Sequence, residues 1–120
     1  MMTVNGSLGP WKVISVRGNL DAATTPAIRR LFADRMDGGS TRLLVDLSSV
    51  AFIDSSGLGV LIGSQPRLQT IGGELRVVAP KRGAAAVFRL TGLSAAIAVY
   101  QTMTDAELDL LESEPEPVDR

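Results

Sequence analysis

Residues 41–63, TRLLVDLSSVAFIDSSGLGVLIG, constrain the fold more than any other part of this 120-residue chain. The run 43–45 is Leu-Leu-Val, and consecutive apolar residues are typical of a strand that is covered on both faces. We therefore predict a buried strand over residues 41–47, with Ser48 and Ser49 marking the turn that leaves it. A helical pattern follows, and this order of elements indicates a layered α/β fold.

The helix after this strand is predicted to begin at Asp54. Aspartate is favoured at the helix N-cap, because its carboxylate can accept hydrogen bonds from unpaired backbone N–H groups, here those of Ser56 or Gly57. Ser55 then occupies the first helical position, where we expect its hydroxyl to face solvent. Gly57 and Gly59 carry no side chain, so a second protein could approach the helix closely at this end.

Two motifs make the chain resemble a known family. The run 45–63, VDLSSVAFIDSSGLGVLIG, closely resembles the signature of the STAS domain, and in particular that of bacterial anti-sigma factor antagonists. A second element of that family, Gly-x-Leu-Asp-x-x-Thr, is matched by GNLDAAT at residues 18–24. The resemblance extends over residues 11–111, and the two motifs together are more specific than either alone.

The resemblance implies a binding function that is regulated at Ser55. In this family, the chain would bind an anti-sigma factor that is also a GHKL-type serine kinase, and would thereby release a sigma factor. Phosphorylation of Ser55 by that kinase would switch the binding off, and a phosphatase acting on phospho-Ser55 would restore it. Ser56 is the competing acceptor, and Ser48 and Ser49 are weaker candidates. The implied partner-binding residues are Asp21, Thr24, Asp54, Ser55, Ser56, Gly57, Leu58 and Gly59.

The same residues allow other interpretations. Asp21 and Thr24 can simply cap the helix that follows them, which is compatible with a contact role. The chain could also be a non-catalytic STAS scaffold or a regulatory subunit of a stress-signalling complex or a lipid transporter. A neighbouring gene for a transport ATPase or permease would favour that alternative, whereas a neighbouring kinase or sigma factor gene would favour the antagonist.

Composition argues against catalysis. The chain has no histidine and no cysteine, which excludes a Ser–His triad, a thiolate nucleophile and a metal held by histidine. It also lacks a glycine-rich phosphate-binding loop of the Gly-x4-Gly-Lys-Ser/Thr form. Asp21, Asp46 and Asp54 could in principle gather a magnesium ion, but Asp54 is better explained as a cap. We therefore predict a protein that is not an enzyme and that needs no cofactor or metal.

The flanking segments predict further elements. Residues 2–5 and 11–17 should form a hairpin, and a helix should begin at Thr25 as its N-cap and end at residues 38–39. The helix after Asp54 should reach residue 71, with a kink or early break at Pro66. The later elements are a strand over residues 74–79, a short helix over residues 83–90, a strand over residues 97–100, and a helix capped by Thr104 that docks through Leu108 and Leu111.

These elements define the fold class as α/β. With the resemblance they imply the STAS fold, a mixed and mostly parallel sheet of about four to five strands packed with about four helices, over residues 1–112. Seven of the 13 acidic residues lie from Asp105 onward, so residues 113–120 are predicted to be a disordered acidic tail.

The charge and hydropathy patterns also bear on partners and location. The 12 basic residues are scattered, so we expect no nucleic-acid-binding surface. The chain has no signal peptide pattern and no apolar run of the ~18–20 residues that span a bilayer. We therefore expect a cytoplasmic protein without membrane insertion, present as a monomer or as a weak homodimer through its edge strand.

Overall fold

One five-stranded sheet organises the computed structural model, which describes residues 2–39, 41–87 and 96–112. The strands are β1 (Met2–Leu8), β2 (Trp11–Leu20), β3 (Arg42–Ile53), β4 (Glu74–Val78) and β5 (Ala98–Tyr100). Within these ranges there are three α-helices, α1 (Thr25–Asp37), α2 (Ser55–Gln69) and α3 (Met103–Glu112), and a short 3-10 turn at Ala84–Ala86.

The strands lie in the sheet in the same order as along the chain. β1 and β2 form an antiparallel hairpin, whereas β2, β3, β4 and β5 run parallel to one another. The predicted mixed and mostly parallel sheet, with an antiparallel edge formed by the N-terminal hairpin, is therefore confirmed. Because the four parallel strands run in one direction, the loops that follow them meet at one side of the sheet, which we call the carboxyl edge.

The two faces of the sheet are covered unequally. Helices α1 and α2 bury the larger core on one face, and α3 packs on the other. Residues of β2 alternate between these layers: Ile14 and Val16 join the larger core, whereas Trp11 and Val13 pack beneath α3. The run 43–45 of β3 is fully buried, which confirms that this strand is covered on both faces.

β3 is longer than the sequence predicted. Ser48 and Ser49 lie within the strand, so the predicted turn at these residues is wrong. The Asp46 carboxylate accepts hydrogen bonds from the backbone N–H of Ser48 at 2.9 Å and from its hydroxyl at 2.6 Å. The pairing with β2 shifts register at this point and then continues until Leu20 pairs with Ile53. The two serines therefore mark an irregularity inside the strand and not its end.

α2 continues through Pro66, so the predicted early break is wrong. Pro66 cannot donate to the carbonyl one turn earlier, but it is exposed, and water can bind that carbonyl instead. The helix resumes at once, because the Thr70 N–H donates to the Pro66 carbonyl at 3.1 Å. It ends in a Schellman motif, in which the Gly73 N–H donates to the Leu68 carbonyl at 2.8 Å and Gly72 has a φ of 79°.

Two predicted helix starts are displaced by one or two residues. Thr24, and not Thr25, is the N-cap residue of α1, and it makes no side-chain capping bond. In α3 the Thr102 hydroxyl accepts a hydrogen bond from the Asp105 N–H at 3.0 Å, so the cap lies before the predicted Thr104.

α3 also docks through a different face from the one predicted. Ala106 and Leu110 are buried against the sheet, whereas Leu108 and Leu111 are 57% and 52% exposed. A small residue at position 106 lets the helix approach the sheet closely, and this geometry turns Leu108 and Leu111 outward.

The other predicted elements are confirmed or lie outside the described residues. The strands predicted at 74–79 and 97–100 are present with ends that differ by one residue. Of the helix predicted over residues 83–90, the structure describes a 3-10 turn at Ala84–Ala86, and residues 88–90 fall outside the described part. The predicted acidic tail at 113–120 also lies outside it. The described part contains three α-helices, against the predicted total of about four.

A buried glutamine joins α2 to the strands beneath it. Gln65 is 6% exposed, and its Oε1 accepts a hydrogen bond from the Leu75 N–H at 2.7 Å. Its Nε2 donates to the carbonyls of Leu75 and Ala96, at 3.3 Å each. One side chain therefore supplies partners for the buried backbone groups of Leu75 at the start of β4 and for a backbone carbonyl just before β5.

Replacement of this side chain by an isosteric apolar one should destabilise the fold. We expect Gln65→Leu to lower the free energy of unfolding by about 1–3 kcal/mol, because the Leu75 backbone groups lose their partners. Urea denaturation followed by circular dichroism measures this change. Gln69→Leu, which alters an exposed glutamine of the same helix, is the matched control and should change stability by less than about 0.5 kcal/mol. Equal effects of the two variants would contradict the assigned role of Gln65.

Candidate functional site

Asp54 forms the N-cap of α2, as predicted. Its backbone is extended, and its Oδ1 accepts hydrogen bonds from the N–H groups of Ser56 at 2.9 Å and Gly57 at 3.1 Å. Its own N–H donates to the Leu20 carbonyl at 3.2 Å. The residue before Ser55 is therefore held from both sides, by the helix that it caps and by the end of β2.

Ser55 is the first residue of α2 and is exposed to solvent. Both features were predicted from the sequence. Ser56 is less accessible, and its backbone N–H is already bonded to Asp54. Among the serines of this turn, Ser55 is thus the one that another protein can reach most easily.

Gly57 and Gly59 have opposite environments, which the sequence could not distinguish. A Cβ atom at Gly57 would lie 2.2 Å from the Leu20 carbonyl oxygen and 2.6 Å from its Cγ, both far inside contact distance. Gly57 is buried, so its lack of a side chain serves the contact with Leu20 within this chain. A Cβ at Gly59 would meet no atom within 4 Å, and this residue leaves the exposed face of the helix open.

Asp21 and Thr24 organise the loop that follows β2. Asp21 Oδ1 accepts hydrogen bonds from the N–H groups of Ala23 at 3.0 Å and Thr24 at 3.2 Å. The Thr24 hydroxyl accepts from the Asp21 N–H at 3.0 Å and donates to the Asn19 carbonyl at 3.0 Å. Asp21 therefore caps the turn that leads into α1. Because Leu20 contacts Asp54 and Gly57, this loop and the start of α2 lie together at the carboxyl edge.

Two exposed apolar side chains precede and follow Ser55 in the chain, and neither was predicted as a contact residue. Phe52 is 50% exposed at the end of β3, and Ile62 is 36% exposed on α2. Leu58, a predicted contact residue, is partly buried against the core. Phe52 was missed because the strand was predicted to end at residue 47, whereas β3 continues to Ile53 and its pairing with β2 shifts register just before Phe52.

The site carries little charge and no assembled metal ligands. Between residues 47 and 66, Asp54 is the single charged residue, and its carboxylate is used by the helix N-terminus. Within the described ranges, no group of three or more carboxylates is placed to hold a metal ion. Asp21, Asp46 and Asp54 instead accept hydrogen bonds from their own turns. The chemistry that the site offers is an accessible hydroxyl on a neutral surface.

A second polar cluster lies beneath α3, on the opposite face of the sheet. Arg76 donates to Glu74 at 2.8 Å, to the Tyr100 hydroxyl at 2.8 Å and to Asp109 at 3.2 Å, and it stacks 4.9 Å from the Trp11 ring centroid. The hydrogen bond to Glu74 is the main cause that raises the pKa of Arg76. Burial, followed by the hydrogen bond to Asp109, raises the pKa of Tyr100. This cluster fastens α3 to the sheet.

Comparison with known proteins identifies the family. The STAS domain model matches residues 1–106, so the chain belongs to the STAS domain family. An anti-sigma-B factor antagonist of Staphylococcus aureus is 29% identical over 80 residues, which cover 67% of this chain and 74% of the relative. No helix in the described part of the chain combines the length and apolar character needed to span a membrane.

Solved structures agree with this assignment. An anti-sigma factor antagonist from Mycobacterium paratuberculosis superposes with a TM-score of 0.78 at 28% identity, over 94% of this chain and 96% of that one. The anti-sigma factor antagonist SpoIIAA in its unphosphorylated form gives a TM-score of 0.75 at 18% identity, over 95% of this chain and 100% of that one. Its phosphorylated form gives 0.69 at 22% identity, over 92% and 99%. The predicted STAS fold is thus confirmed.

The two glycines of the site should respond oppositely to the same substitution. Gly57→Ala should lower the free energy of unfolding by about 1–3 kcal/mol, because its methyl group would overlap the Leu20 carbonyl. Gly59→Ala should raise it by about 0.5–1 kcal/mol, because alanine favours the helix and meets open space. Chemical denaturation of both variants provides the measurement. A Gly57→Ala protein as stable as the Gly59→Ala protein would refute the close contact.

Proposed function

We propose that the chain is an anti-sigma factor antagonist that is switched by phosphorylation of Ser55. In its unphosphorylated state it binds an anti-sigma factor serine kinase of the GHKL type and thereby releases a sigma factor. The exposure of Ser55 at the first residue of α2 is the observation that supports this most directly. The names of the relatives from Staphylococcus aureus and Mycobacterium paratuberculosis support the class of function.

The fold should tolerate a phosphate at this position. Phosphorylation adds roughly −1.5 to −2 charge and three acceptor oxygens. The N-terminus of α2 favours an anion through its dipole and its backbone N–H groups, and the exposed site leaves the phosphate hydrated. Asp54 lies next to the phosphate and opposes its charge, which limits this gain. The modified chain should therefore stay folded.

The same phosphate should be far more costly inside a complex. A dianion that is desolvated by a partner costs several kcal/mol unless it is paired. Residues 47–66 contain no basic side chain that could pair with it locally. Since every ~1.4 kcal/mol changes affinity tenfold, one modification is enough to dissociate a tight complex.

The partner surface proposed around Ser55 combines the loop that follows β2 with the end of β3 and the first turns of α2. Phe52, Leu58, Gly59 and Ile62 offer apolar or open contact area, and Asp21 and Thr24 shape the adjacent loop. Gly57 and Asp54 act mainly by fixing the position of Ser55. The protein would thus act in the cytoplasm as a binding module without catalysing a reaction itself.

Charge at Ser55 should control binding. We expect Ser55→Ala to bind the kinase about as well as the unmodified protein and Ser55→Asp to bind at least tenfold more weakly, because only the latter places a charge in the contact. The partner is first identified by mass spectrometry of the protein co-purified from its native cell. Isothermal titration calorimetry with that purified partner then gives the affinities.

The matched control is Ser7→Asp, which adds the same charge at an exposed serine of β1 that pairs with Lys12 near the start of β2, away from the carboxyl edge. It should leave the affinity within about twofold. Peptide mapping after incubation with the kinase and ATP should place the phosphate on Ser55 and not on Ser56. Equal binding by Ser55→Asp and Ser55→Ala would contradict the proposed switch, and co-purification with a transport ATPase or permease instead of a kinase would contradict the proposed partner.

Gly59 should separate stability from binding. Because its exposed position has no neighbour within 4 Å, Gly59→Ala should strengthen the fold yet weaken partner binding several-fold, as the methyl group enters the docking surface. Calorimetric titration and chemical denaturation of the same preparation measure both effects. Unchanged affinity in a stabilised Gly59→Ala protein would exclude Gly59 from the interface.

A further inference from the structure

A small pocket lies beside the Asp21–Thr24 loop, between the end of β2 and the first turns of α1. Its volume is about 190 Å³. Val16 and Ile28, which are 2% and 1% exposed, form its base, and the short side chains of Ala23 and Ala27 leave the space above them unfilled. The pocket is therefore an apolar cavity that opens on the surface.

The walls of this pocket are held in place before any ligand binds. The Thr24 hydroxyl donates to the Asn19 carbonyl and accepts from the Asp21 N–H, at 3.0 Å each. These two bonds tie the end of β2 to the start of α1 across the pocket rim. Because the cavity is preformed, an occupant would not have to order the loop.

Size and lining decide which occupant fits. Sites for small organic ligands usually measure about 300–1,000 Å³, so this pocket is too small for one of them. Its volume suits one aliphatic side chain. Arg17 is the one charged residue among those lining it, and the base is apolar, so a charged occupant would lose its hydration without compensation at the base.

The pocket adjoins the surface proposed around Ser55. Its lining residue Asn19 pairs in the sheet with the exposed Phe52, and Thr24, which also lines it, belongs to the loop proposed to contact the partner. We propose that the pocket receives a single apolar side chain, such as leucine, isoleucine or methionine, from the same protein that binds the Ser55 surface. This inference rests on the proposed function and adds to it an anchor point of the kind that dominates interface energies.

Filling the pocket from within tests the proposal. Ala27→Leu places a strong helix former on an exposed position of α1, with its side chain in the cavity. We expect the fold to be retained, with an unchanged or higher melting temperature, and the affinity for the purified kinase to fall at least tenfold. The matched control is Ala33→Leu, the same substitution on the same helix, which lines a separate groove with Met36 and Pro66. It should change the affinity less than twofold.

The possible results separate this inference from the function on which it rests. If Ser55→Asp abolishes binding while Ala27→Leu binds normally, the pocket is not an anchor site and the phosphorylation switch still holds. If Ser55→Asp binds normally, the proposed function itself fails. If Ala27→Leu alters self-association in analytical ultracentrifugation and not kinase affinity, a second copy of the chain is the occupant and the proposal is overturned.

A measurement on the unsubstituted protein gives an independent check. With alanine methyl groups labelled by ¹³C, saturation of the bound kinase should transfer to Ala23 and Ala27 and leave Ala33 unaffected. Transfer confined to other alanines would overturn the proposal, whatever the variants show.

Discussion

The contact between Gly57 and Leu20 is the constraint on which the position of Ser55 depends. The helix backbone at Gly57 lies so close to the Leu20 carbonyl that no side chain fits between them, and the Asp54 N–H bonds to the same carbonyl. The end of one parallel strand thereby fixes the start of the helix that follows its neighbour. Ser55 thus follows a residue that is held by contacts on both sides, and under the proposed function this placement would lower the entropic cost of binding a partner.

Local rules made the N-cap of α2 predictable from the sequence. Asp54 caps α2 through bonds to residues two and three positions ahead, so the pattern of residue types contains all of the partners. The division of β2 between two layers follows in the same way from strict alternation in the strand. The resemblance to the STAS domain supplied the topology that these local rules leave open.

Features that depend on distant partners could not be predicted. Gly57 and Gly59 are the same residue type two positions apart, and only the approach of Leu20 makes one of them necessary to the fold. Likewise, α3 contains enough leucine residues to define more than one apolar face, and the sheet selects the face with Leu110. The partners of Gln65 are also remote in sequence, so its role appears only in the structure.

The location of a serine hydroxyl determines whether a phosphate on it would weaken only a complex or would destabilise the domain itself. Ser64, on the same helix, is 6% exposed, and its hydroxyl donates to the Val60 carbonyl at 2.7 Å. A phosphate there would break that bond and require a dianion in the core, at a cost comparable with the entire stability of a small domain. Under the proposed function, a phosphate on Ser55 would stay in water and interact with a helix N-terminus, which would change the energy of the fold by only about 0.3–1 kcal/mol. The large desolvation cost would then arise only when a partner covered the site, so the modification would destabilise the complex and not the domain.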